Sequence, residues 1–157
     1  MTAWRVVAAA AAILLVVGYA IGSGAWVGSG SQWYLSLQQP AWQPPGAVFG
    51  LAWTYNFIVL GVVGVAMAMQ AAPGRVIAFL IVLGASIVLA IGWAYLFYVP
   101  HNLVAASIAL SAAALLTIVP VVLAFAERAW LGWLLVPYLC WLAIATSLSW
   151  GYVALRT

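Results

Sequence analysis

Few residues in this sequence could carry acid, base, nucleophilic or metal chemistry. Glu127 is its only carboxylate side chain, His101 its only histidine and Cys140 its only cysteine. They cannot form a carboxylate pair, a catalytic triad or a metal-ligand set. His101 follows Pro100 in a turn and reads as a solvated loop residue. Cys140 lies in an apolar run and reads as a buried, inert thiol. Aromatic rings are what the chain has in quantity: ten Trp, seven Tyr and five Phe. Many recur at helical spacing. Phe49, Trp53, Asn56, Phe57, Leu60 and Gly64 share one face. Ser86, Ala90, Trp93 and Phe97 share a second. Tyr138, Trp141, Ala145, Leu148, Ser149 and Tyr152 share a third. Large rings beside small residues leave room for a flat apolar ligand between helices, with Asn56, Ser86 and Ser149 as the few polar groups such a site needs. The competing reading is that these rings are ordinary core or lipid-facing side chains.

The elements that position these faces follow from composition. Of 157 residues, 69% are hydrophobic and 3% are charged, with a formal net charge of +3. Soluble domains are about 25% charged. This excludes a soluble enzyme, a nucleic-acid-binding domain and a disordered chain. Lacking intramembrane charge, the chain is also a poor candidate for an ion pump or proton-coupled carrier. Five stretches reach the roughly 20 apolar residues that cross a bilayer: 4–26, 46–70, 76–99, 103–126 and 130–155. The expected fold is a single all-α membrane domain over 1–157, a five-helix bundle. Short breaks between the later spans make sequential helices antiparallel neighbours.

The first span also carries signal-peptide features: Arg5, an apolar core and Ser23-Gly-Ala25. Its length and the small-residue pair Gly18 and Gly22 favour a retained packing helix. Arg5, Arg75 and Arg128 fall on one side of the bilayer and Arg156 on the other. The positive-inside rule then puts the N-terminus in the cytoplasm and the C-terminus outside, in a bacterial cytoplasmic membrane.

The segment 27–45 is the one long connection, and it carries no charge. Its prolines pre-order the backbone, and long ordered loops commonly act as lids or binding loops. The alternative is an interfacial loop anchored in the headgroups by Trp33, Tyr34 and Trp42.

Two segments resemble the TspO/MBR family of tryptophan-rich sensory proteins, also called translocator proteins or peripheral benzodiazepine receptors. One is Trp33-Tyr-Leu-Ser-Leu-Gln-Gln-Pro-Ala-Trp-Gln-Pro-Pro45, followed by Val48-Phe49 and Ala52-Trp-Thr54. The other is Leu135-Val-Pro-Tyr-Leu-Cys-Trp141, continued by Ala145-Thr146 and Leu148. The resemblance covers essentially the whole chain. It implies a five-helix bundle, often a homodimer, with a pocket beneath the first loop. Its implied ligands are porphyrins such as protoporphyrin IX, and in some members sterols or synthetic drug-like molecules, with no required cofactor. The implied roles are tetrapyrrole transport, sensing or stress regulation, and light-dependent porphyrin breakdown, for which Trp53 and Trp141 would be the reactive residues.

By position, Trp53 and Trp141 match the family's pocket tryptophans. Trp33, Tyr34, Pro40, Trp42, Pro44 and Pro45 match its lid. Phe57, Trp93, Ala145 and Leu148 match other pocket positions, and Pro137 and Tyr138 match its fifth-helix motif. The departures are polar. Gln39 stands where the family usually has a basic residue. Ser86 and Ala90 align with a common glutamine and asparagine, Ser149 with an asparagine and Gly50 with a proline. The carboxylates of a bound porphyrin would then turn to Asn56, loop amides or an interfacial arginine. Leu148, Tyr152 and Arg156 also match a loose sterol pattern, for which helix-end interface anchoring is the simpler reading. A third reading is a ligand-free scaffold whose small residues, Gly18, Gly22, Ser86, Ala90 and Ala94, serve only helix packing.

Overall fold

The computed structural model describes residues 2–156. Within them are α1 (Ala3–Trp26), α2 (Gln32–Leu35), α3 (Gly46–Gln70), α4 (Pro73–Tyr98), α5 (Leu103–Glu127) and α6 (Ala129–Ala154). All but α2 are long and apolar enough to cross a membrane. The five expected spans are therefore present, with no end shifted by more than three residues. The largest shift is at α4, where Pro73 occupies the first turn. Proline is favoured there because the N–H it lacks has no intrahelical partner.

The long helices close into a ring. α1 packs between α3 and α4, α4 against α5, α5 against α6, and α6 returns to α3. Close approach on α1 depends on small residues. A Cβ at Gly64 would lie 2.8 Å from the Ala12 Cβ, and one at Gly22 would lie 2.8 Å from the Ile91 Cδ1. Gly18, the other half of the expected packing pair, has open space around it. Tyr55 ties α3 to α6 by donating its hydroxyl to the Leu134 carbonyl at 3.0 Å.

The two ends of the ring differ. At the end holding the α3–α4 and α5–α6 connections, Met67, Ala68, Val76, Phe79, Ala124 and Leu131 are fully buried in one apolar core. Arg75 and Glu127 bridge these two connections at 2.5 Å. At the other end the segment 27–45 lies over the bundle. It is not a plain loop, because Ser31 accepts a hydrogen bond from the Tyr34 N–H and caps the single turn of α2. The outer surface is apolar all round, with Leu14, Leu51, Val88 and Leu115 among the most exposed side chains. Such a helix surface suits lipid, not water. Cys140 lies on this surface and is exposed. Its expected burial fails because, in a membrane bundle, the lipid-facing side is as apolar as the core.

Candidate functional site

The lid end of the ring holds a partly open cavity of about 770 Å³, within the size range of small-molecule sites. All five long helices contribute to its wall. α3 supplies Phe49, Trp53 and Phe57, with Gly46 and Gly50 beside them. α6 supplies Trp141, Ala145, Leu148, Ser149 and Tyr152, and α4 supplies Ala90, Trp93, Phe97 and Tyr98. α1 adds Tyr19, Ala20, Ser23 and Gly24, and α5 adds Leu110. The lid segment adds Tyr34, Gln39, Gln43, Pro44 and Pro45.

The rings form two groups. In the first, Trp53 meets Trp141 edge-on at 6.5 Å and stacks on Phe57 at 5.6 Å. Phe49 stands edge-on to Trp141 at 5.2 Å, and Tyr19 is edge-on to both Trp53 and Phe57. In the second, Trp93, Phe97, Tyr98 and Tyr152 lie with centroids 5.0–6.3 Å apart. Each such contact contributes about 0.5–1.5 kcal/mol beyond area burial, so the walls are held in place before any ligand arrives. Ser149 fixes one indole: the Trp93 Nε1–H donates to its Oγ at 3.2 Å, and that Oγ shares a 2.8 Å hydrogen bond with Ser107.

The lid is fastened to α6 and α4. The Tyr152 hydroxyl donates to the Gln43 Oε1 and lies 3.3 Å from the Tyr34 hydroxyl, to which the Gln43 Nε2 donates at 3.4 Å. The Trp42 Nε1–H donates to the Ser147 Oγ at 3.3 Å. Pro40 begins a tight turn in which the Gln43 N–H donates to its carbonyl at 3.0 Å. Trp33 is stacked flat on His101, with centroids 3.7 Å apart and planes at 10°, while the Arg156 guanidinium lies 5.5 Å from the same ring. His101, expected as a free loop residue, is thus part of the lid's seat. It has a left-handed φ of 56°, a conformation that His tolerates better than most residues. It reverses the chain between α4 and α5 and brings the imidazole beneath Trp33.

The cavity gathers thirteen of the residues proposed from sequence: Tyr34, Pro44, Pro45, Phe49, Trp53, Phe57, Ala90, Trp93, Phe97, Trp141, Ala145, Leu148 and Ser149. Six others sit elsewhere. Trp33, Pro40 and Trp42 hold the lid from outside the cavity wall. Asn56 is buried in the bundle off the wall. Ser86 is buried in the α4–α5 contact, where it bonds the Ala113 carbonyl at 2.9 Å and Thr117 at 2.8 Å. Tyr138 is fully buried beside Tyr19, Thr117 and Ser86.

The sequence reading missed the α1 wall, although Tyr19 and Ser23 are one helical turn apart and so share a face. It also missed Gln43, Tyr98 and the latch role of Tyr152. None of the wall residues named above carries a formal charge.

Comparison with known proteins agrees with this architecture. Residues 8–155 match the TspO/MBR family. The tryptophan-rich sensory protein of Cereibacter sphaeroides is 30% identical over 119 residues, covering 75% of this chain and 73% of that protein. The tryptophan-rich protein TspO of Chlorobaculum tepidum is 31% identical over 150 residues, covering 92% and 91%. The tryptophan-rich protein TspO of Bacillus cereus is 27% identical over 122 residues, covering 75% and 76%. With its five apolar spans, its lid and a match running nearly end to end, this chain is an integral membrane protein belonging to the TspO/MBR family.

Proposed function

We propose that this protein binds a flat hydrophobic ligand of the porphyrin class beneath its lid and serves in transport, sensing or stress regulation. The observation that carries the reading is the cavity of about 770 Å³ walled by Trp53, Trp93 and Trp141 under a hydrogen-bonded lid. A planar macrocycle buries both faces against rings and aliphatic side chains, which is where such a ligand gains most of its affinity. The lid excludes water once the ligand is seated. The arginine distribution favours a bacterial cytoplasmic membrane with the N-terminus inside and the lid outside. A bundle serving only as a scaffold would be expected to fill this space with side chains.

The test is a titration of the purified protein with protoporphyrin IX in the dark, followed by tryptophan quenching corrected for ligand absorption. Saturable quenching is expected, with affinity weakened about tenfold or more in Trp53→Ala and in Trp141→Ala, equivalent to about 1.4 kcal/mol. Unchanged affinity in both variants rejects the pocket.

One contact favours a second reading, light-dependent porphyrin degradation. Trp53 and Trp141 stand edge-to-face at 6.5 Å on the same wall, and both would lie against a bound, photoexcited macrocycle. Loss of the porphyrin bands under light, no faster with protein than in protein-free detergent, rejects it.

A further inference from the structure

We propose that the cavity selects flat ligands in an uncharged form, so that a porphyrin ester binds in preference to the corresponding dicarboxylic acid. This rests on the binding reading above and names the class of ligand the site takes.

The wall has no cation to offer. Its polar side chains are hydroxyls, amides and indole N–H groups, all of them neutral. Several are already engaged with the protein, while the buried Trp141 Nε1–H has no partner and can serve an ester carbonyl as well as a carboxylate. The Ser23 Oγ–H donates to the Tyr19 carbonyl at 2.6 Å. Ser149 is held by Trp93 and Ser107. Gln43 is tied to Tyr34 and Tyr152 in the latch. Gln39 lies at the rim, exposed and neutral.

The four arginines lie off the wall. Arg5, Arg75 and Arg128 are at the opposite end of the bundle. Arg156 is at the lid end, but its guanidinium lies over Trp33, which is itself outside the cavity wall. A carboxylate carried under the lid therefore exchanges water for a low-dielectric site without a counter-ion. That exchange costs several kcal/mol unless the group is neutralised. An esterified or otherwise uncharged edge avoids the cost and leaves the latch intact.

The experiment uses protoporphyrin IX and its dimethyl ester as probes, with the protein in nanodiscs in the dark at pH 8. Each affinity is expressed against the ligand mole fraction in the membrane, fixed by partitioning into empty nanodiscs. The ester is expected to bind at least tenfold more tightly than the acid. Gln39→Arg, which places a cation at the exposed rim, is expected to shrink the ester-to-acid ratio about tenfold. Binding of the acid as tight as that of the ester in the unaltered protein overturns the proposal while leaving the pocket standing. So does a ratio that Gln39→Arg does not move. Failure of both probes to bind saturably overturns the pocket itself. So does ester binding that Trp53→Ala leaves unchanged.

Discussion

Gly151 of α6 is seated directly against Pro40 of the lid: a Cβ at Gly151 would lie 2.8 Å from the Pro40 Cγ and 2.9 Å from the Trp42 Cζ2. Neither a proline ring nor an indole benzo edge is a flexible side-chain tip, so any side chain here must lift the lid. Gly151→Leu should raise deuterium uptake across residues 31–44 and speed ligand release, while uptake in the core of the bundle stays the same. Unchanged lid exchange would mean that the lid does not rest on this glycine.

The latch offers a gentler version of the same test. Tyr152→Phe keeps the ring contact with Phe97 and removes only the hydroxyl that meets Gln43 and Tyr34. A net hydrogen bond is worth about 1 kcal/mol. The ligand dissociation rate should rise several-fold with little change in thermal stability. An unaltered dissociation rate would show that the latch does not control release.

Stability at the opposite end should be separable from binding. A Cβ at Gly132 would fall 2.2 Å from the Phe125 Cγ, pressed against the face of the ring. Gly132→Ala should destabilise the bundle by about 1–3 kcal/mol, as overpacking of a filled core commonly does. The folded protein should retain its affinity for protoporphyrin IX. A loss of affinity larger than the loss of folded protein would contradict this separation.

Arg75 and Glu127 form the one ion pair among the described residues, at 2.5 Å, with side-chain exposures of 37% and 15%. A pair this open to solvent contributes about 0–1 kcal/mol. Glu127→Gln should therefore lower the melting temperature slightly, by an amount that shrinks as salt is added. A large, salt-independent loss would show that the pair is more deeply set than its exposure indicates.

The five spans were legible because an apolar run of bilayer length, broken by Pro, Gly or charge, has few other physical readings. The ring faces of α3, α4 and α6 were legible because helical spacing fixes which residues point the same way. Spacing does not fix how deep a cavity runs or which neighbour a face meets. Tyr138 and Ser86 lie on the faces that carry Trp141 and Ala90, but one turn farther from the lid, where the bundle has closed. Asn56 is turned away from the wall that Trp53 and Phe57 form. Inside and outside are equally apolar in such a chain, which is why Cys140 reads as buried and is exposed. The seat of Trp33 on His101 joins residues 68 positions apart and leaves no local signature.

A structure determined with protoporphyrin IX or its dimethyl ester bound would show whether the cavity beneath the lid is the ligand site. Density for a planar macrocycle is expected in the cavity, in contact with Trp53, Trp93 and Trp141, with the Tyr34–Gln43–Tyr152 latch closed above it. Ligand density confined to the lipid-facing surface, with the cavity collapsed and its rings packed together, would contradict it.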